Sequence, residues 1–306
     1  MKRVLLAAVL VTAALATASC SNGGSTPTGS PKAAGPSLPA PSVTATPSVS
    51  NLNNVSLPLD RYTTTVDEFV DLDFASKLMA ADCMKGFGIT WNPGTRLALD
   101  ALRDRTNRLG LVDEAVAKRA GYHIDPLHAA DYAPRDQQNN PKLTGDQGAI
   151  LMGSGPGQQA AKNVPKGGCI GEGRRQIGWN LDEDQWLEDL TNTAVDRTFA
   201  DARARKVTAA WSACMQESGY RYDKPDDANN DLRWWKNDKA PVSKAEINTA
   251  VADVRCKKKV HYLDQMTAIL TAYQQQIVEA NAERLEAAHQ HAQDALKKAA
   301  AVLSGQ

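Results

Sequence analysis

Apolar positions recur every three or four residues along most of this chain, and the strict alternation a strand needs is scarce. Thr65 and Glu68 have the spacing of a capping box. Val66, Phe69, Val70, Phe74, Leu78 and Met79 follow on one stripe, which predicts a helix reaching Cys83 and Met84 and stopping at Gly86 and Gly88. Residues 95–108 and 113–119 read as two further helical stretches. Residues 121–168 are rich in Gly, Pro, Asn and Asp and are expected to be loop with brief turns. So long an irregular stretch calls for a staple or a function. Cys169 then opens a short helix over 170–177.

Asn180 or Asp182 begins a long helix whose stripe includes Trp186, Leu187, Leu190, Ala194, Val195, Phe199, Val207 and Trp211. It ends at Cys214 and Met215, with Gly219 as the stop. Residues 220–240 are polar and irregular. Ser243 and Glu246 form a second capping box, after which one helix is expected to run to about residue 303 on Ile247, Val251, Val254, Tyr262, Met266, Ile269, Tyr273 and Ile277. Unbroken, roughly 60 residues would extend about 90 Å. Past Arg284 the stripe thins to Ala, so this end is expected to project, fray or find a partner. Mainly α architecture follows, with long irregular loops and a long C-terminal helix.

Composition narrows the functional classes. Lys+Arg and Asp+Glu are both 35, so the formal net charge is zero. Nucleic acid is not an expected partner, because no long-range field would attract it. No cofactor signature is present. Aromatic residues make up only 6 %, which leaves few of them to anchor a core.

The N-terminus differs from the rest. Lys2 and Arg3 precede an apolar run over residues 4–16, too short to span a bilayer as a helix. A basic start, a short apolar core and small residues before a cut mark a secretory signal. Thr17-Ala18-Ser19-Cys20 then resembles the lipobox of bacterial lipoproteins, matching at Ala18, Ser19 and Cys20 and departing from the usual Leu at Thr17. The resemblance implies a diacylglyceryl group on Cys20 as the mature N-terminus, and a cell-membrane location on the extracellular face. Ordinary secretion is the competing expectation. Residues 21–50 are Ser, Thr, Pro, Gly and Ala, a composition that cannot offset its ordering entropy. The expected organisation is therefore a signal peptide over 1–19, a lipidated tether over 20–55, a first helical half over 56–181 and a second over 182–306.

The five cysteines are Cys20, Cys83, Cys169, Cys214 and Cys256. Lipidating Cys20 leaves an even set of four for disulfides in an oxidising exterior. Cys83-Met84, a Gly stop and the aromatic Phe87 echo Cys214-Met215, Gly219 and Tyr220. Each is followed by a loop and a further cysteine near a helix start. The echo suggests two helix–loop–helix pseudo-repeats and pairs Cys83 with Cys169 and Cys214 with Cys256, one of three connectivities. On the chain-entropy model each bridge contributes about 4–5 kcal/mol. Zinc is disfavoured, since no CxxC pair exists.

Candidate chemistry is sparse. His123 and His128, near Asp125 and Asp131, form a His/Asp cluster suited to metal binding or acid–base work, without a nucleophile motif beside it. Trp234 and Trp235, with Tyr220 and Tyr222, suggest a sugar-stacking surface, though core anchoring competes. Asp227, Asn229, Asp231 and Asp238 fit four places of a calcium-loop frame, but Leu232 stands where Gly is required. Gly153-Ser154-Gly155-Pro156-Gly157 could form an anion nest and is better read as loop. His289 and His291, two apart on a helix, face different ways. Glu172 and Arg174-Arg175 beside Cys169 read as a structural ion pair.

Gly121-Tyr122-His123 and Gly167-Gly168-Cys169-Ile170-Gly171-Glu172, with the Cys-Met-Gly motif, are similar to uncharacterised secreted proteins and lipoproteins of Streptomyces and related actinobacteria. That family implies no activity. The expectation is a non-enzymatic envelope lipoprotein that presents a loop face and its last helix to a wall polymer or an envelope protein. An envelope hydrolase using the His/Asp region and a wall-carbohydrate binder are the alternatives.

Overall fold

The computed structural model describes residues 39–50, 52–96, 109–125, 127, 143–153, 163–236 and 241–305. Among these, nine α-helices and no strand occur. In chain order they are α1 (Val66–Gly86), α2 (Glu114–Ala120), α3 (Gly145–Met152), α4 (Gly168–Ile177), α5 (Leu181–Ala200), α6 (Ala202–Glu217), α7 (Pro225–Asn229), α8 (Lys244–Lys259) and α9 (Tyr262–Ser304). No described helix is long and apolar enough to cross a membrane.

The helix starts follow from the caps. Thr65 accepts from the Glu68 amide and Glu68 reaches back to Thr65. Asp113, Asn180 and Ser243 cap α2, α5 and α8. Thr144 and Gln147 form a further capping box, and it opens α3 inside the stretch expected to be loop. Gly145 and Gly148 disguise that helix in the sequence. Ala149, Ile150 and Leu151 nevertheless bury against α4. The helix expected over 95–108 lies outside the described residues from 97 onward.

Two helices expected to be continuous are broken. Asp201 adopts an extended ψ of 141° and caps α6, so the long stripe through Trp211 divides into α5 and α6. Its carboxylate pairs with Arg203 and accepts from the Tyr273 hydroxyl at 2.9 Å, which fixes the break onto α9. His261, left-handed at φ 52°, separates α8 from α9. A third departure is a kink at Asn281, whose side chain donates to the Ile277 carbonyl at 2.8 Å. In the polar stretch after Gly219, Pro225 starts the one-turn α7.

The principal core collects α5, α6, α8 and the first part of α9 around Trp211, Met215, Tyr262 and Met266. The far part of α9 does not project. Ala295 and Ala299 are fully buried against Leu72 and Ala75 of α1 and Ile177 of α4. The thinning of the stripe to Ala permits a close crossing rather than signalling exposure. The N-terminal arm is docked too. Val43, Val49 and Val55 pack on the principal core, and the Leu59 amide donates to the buried Gln274 side chain at 3.1 Å. The described residues from Val43 onward, expected to belong to the tether over 20–55, are therefore part of the packed body.

Both cysteine pairs are bonded as the echo implied, Cys83–Cys169 with Cα atoms 5.5 Å apart and Cys214–Cys256 with 5.6 Å. The echo itself is a helix-stop motif. The Ile89 amide donates to the Met84 carbonyl, and the Tyr220 amide to that of Met215, with Gly88 and Gly219 left-handed between. Cys169 lies in the first turn of α4. Cys256 lies in the last turn of α8 and not near a helix start, so the two stops meet their partners at opposite helix ends.

Candidate functional site

Gly121-Tyr122-His123 closes α2 and lies against the buried face of α8. Gly121 has φ 60° and ψ −122°, and a Cβ there would stand 2.5 Å from the Glu246 carboxylate. Only glycine allows the chain to come so close. The turn delivers two groups to Glu246, which is 2 % exposed. Its Oε1 accepts from the Tyr122 amide at 2.9 Å and lies 2.8 Å from His123 Nδ1. Trp235 covers the imidazole, with ring centroids 4.4 Å apart. His123 and Trp235, singled out separately in the sequence, thus form one cluster with a carboxylate that was not singled out.

The same face of α8 continues inward. Asp253 accepts from Trp211 Nε1 at 2.9 Å, from Lys257 Nζ at 3.0 Å and from the Tyr122 hydroxyl at 3.4 Å. Lys257 also donates to the Leu111 carbonyl at 2.8 Å. Burial pushes the Asp253 carboxyl upward, against the opposing pull of Lys257. Burial, with Asp253 close by, also raises the Tyr122 phenol far above its ordinary value. At the outer edge, Arg255 and then Lys118 hold the Glu114 carboxyl down at about 2.

Glu246, Thr249, Ala250, Asp253, Val254 and Lys257 lie on the buried face of α8, so of the Ile247, Val251 and Val254 stripe read in the sequence Val254 is fully buried and the other two are only partly covered. Charged residues default to solvent in any periodicity reading. Only the partners on α2, its flanks and α6 show that these three face inward. The available signal was their own spacing, with the intervals of one helix face.

Chemically, a carboxylate on Nδ1 holds one imidazole tautomer and orients the ring, the outer half of a general-base arrangement. Among the described residues no group of three His, Cys, Asp or Glu side chains could hold a metal. Asp125 pairs with Arg119 rather than with His123. His128 and Asp131 lie outside the described residues, as do Cys20, Asp238 and positions 154–157.

Trp234 is buried at 7 %, donates to the Ala228 carbonyl and lies under Arg233. It is a core anchor and is not open to sugar stacking. Trp235 is 39 % exposed, with one face taken by His123. Tyr222 and Arg233 both engage Asp231, while Asp227 and Asn229 belong to α7, so the described positions of the calcium frame are committed to other contacts. Glu172 pairs with Arg175 at 2.7 Å, as expected. His289 meets Tyr62 edge-on and His291 meets Glu183.

No protein-family model, no curated protein and no solved structure matches this chain.

Proposed function

We propose that this chain is an exported bacterial envelope lipoprotein, held on the outer face of the cell membrane by a diacylglyceryl group on Cys20, that acts by binding or scaffolding rather than by catalysis. The observation that carries the reading is the cysteine arrangement. All four body cysteines are paired, which leaves Cys20 as the one cysteine outside a bond. Disulfides of this kind persist outside the reducing cytoplasm. Two acyl chains on one thioether-linked glycerol suffice for stable anchoring. The docking of the arm from Val43 leaves a tether of about 20 residues after Cys20, a reach of at most about 70 Å. The partner within that reach is a wall polymer or another envelope protein.

The non-catalytic part of the reading draws on the commitment of the polar groups. Glu246, Asp253 and Lys257 spend their bonds holding the Gly121–His123 turn and the chain before α2 onto α8. The buried stripe of α9 also leaves it no apolar face to offer, so partner binding falls to the loops, where Ile124, Leu127, Leu232 and Trp235 are exposed. An envelope hydrolase remains the second reading, on the strength of the Glu246–His123 pair alone. It requires a nucleophile or metal beside the outer imidazole nitrogen, and loss of turnover in His123→Ala.

Peptide mass analysis of the protein from an actinobacterial membrane fraction tests the reading. The expected result is a lipidated N-terminal Cys20 and no free thiol in the body, with Cys20→Ser released from the membrane. An unmodified N-terminus or four titratable thiols overturns it.

A further inference from the structure

We infer that the cavity between the docked N-terminal arm and the α8–α9 turn binds a small zwitterion, a free amino acid or short peptide with both charged ends available. This inference does not depend on the envelope reading. The cavity is about 430 Å³, within the usual size of small-molecule sites. Four separate segments build its wall: the arm at Val49, the chain before α2 at Val112 and Asp113, the end of α8 at Lys258, and the start of α9 at Leu263 and Asp264. The valines and Leu263 supply an apolar surface.

The charges decide the ligand class. Asp264 is occupied, with one oxygen accepting from the Val49 amide at 2.7 Å and the other facing His261 Nδ1 at 3.2 Å. Glu114 is engaged by Arg255 and Lys118, and Lys257 is turned inward to Asp253. Two wall groups, both exposed to solvent, make no ion pair among the described residues. Lys258 has no ion pair among the described residues. Asp113 spends only Oδ1, on the amides of Ala115 and Val116, which leaves Oδ2. A simple anion would satisfy Lys258 but face Asp113 and Asp264. A simple cation would satisfy the carboxylates and leave Lys258 unmatched. A ligand with an ammonium and a carboxylate neutralises both without adding net charge to the wall. Val49 is at once part of the wall and hydrogen-bonded to Asp264, so occupancy also holds the arm in place.

The test uses the mature chain kept soluble by Cys20→Ser, titrated calorimetrically with dialanine, N-acetyl-dialanine and dialanine amide. Dialanine is expected to bind saturably, and blocking either end to weaken it about tenfold, the loss of one charge-assisted contact. Lys258→Ala should weaken dialanine by a similar factor and leave the amide unaffected. Asp113→Asn, which keeps a capping oxygen, should weaken dialanine and leave the acetyl derivative unaffected. Hydrogen exchange at the Val49 amide should slow on binding. Absence of saturation to about 10 mM, a range that excludes even weak binding, overturns the inference. So do blocked ligands that bind as well as dialanine, or charge variants that bind as wild type does.

Discussion

Replacing Gly173 with alanine sets two effects of opposite sign against each other. Gly173 lies inside α4, where Gly→Ala by propensity alone stabilises a helix by about 1 kcal/mol. In this fold α4 crosses α1 at that residue. A Cβ on Gly173 would stand 2.1 Å from the Ser76 carbonyl oxygen and 3.0 Å from the Ala80 amide nitrogen, both backbone atoms that cannot rotate away. Restoring ordinary contact would require the helices to part by more than about 1 Å. The Cys83–Cys169 bond, one turn along, resists that separation. Ala80, Met84 and Ile170 would lose contact together. Overpacking of this kind costs about 1–3 kcal/mol or more, and a bridged helix pair belongs at the upper end. The net expectation is a loss of about 2 kcal/mol. With a urea slope of about 2–3 kcal/mol/M, the midpoint should fall by roughly 0.7–1 M, read by circular dichroism with the disulfides intact. Gly86→Ala is the control, since no atom lies within 4 Å of the Cβ it would carry. It should leave the midpoint unchanged or raise it slightly. A Gly173→Ala protein as stable as wild type would refute the close crossing.

Glu246→Ala should cost about 2–3 kcal/mol, because it strands the buried Tyr122 amide and frees His123; urea unfolding measures the loss, and tryptophan fluorescence should report Trp235 leaving its stack. Asp253→Ala should cost about 3–5 kcal/mol by leaving Lys257 charged and unpaired in the core, whereas Asp253→Leu combined with Lys257→Met should recover most of it. Failure of the double variant to exceed the single one in thermal unfolding would count against a buried pair. Asp201 is held far below the usual carboxylate range, first by Arg203. Its contribution is therefore complete above the unfolded value of about 3.9 and is lost as pH falls toward the depressed folded one. Asp201→Asn should melt lower than wild type at neutral pH, and the gap should narrow in scans from about pH 5 to pH 2.

Local signals carried much of the architecture. The signals at Thr65, Asn180 and Ser243 placed three helix starts, because a side-chain oxygen reaching its own N-terminal amides needs no distant partner. The repeated Cys-Met-Gly stop was legible for the same reason, and it led to the cysteine pairs. The candidate site was legible only in pieces. His123 and Trp235 stood out by residue type, but Glu246, read as the reciprocal half of a capping box, turned out to be the buried carboxylate between two distant turns.

Mainly helical character, the two Cys-Met-Gly stops and the covalent staples were thus determined by the sequence alone, since each is set by contacts within a few residues or by the chemistry of cysteine. The tertiary structure decided which face each helix buries. Asp253 and Lys257 go inward only because Trp211, Tyr122 and the Leu111 carbonyl arrive from elsewhere to satisfy them. Ala295 and Ala299 are core only because α1 comes close enough to need small side chains. Burial depends on what lies opposite, and nothing in a helix's own periodicity names its partner.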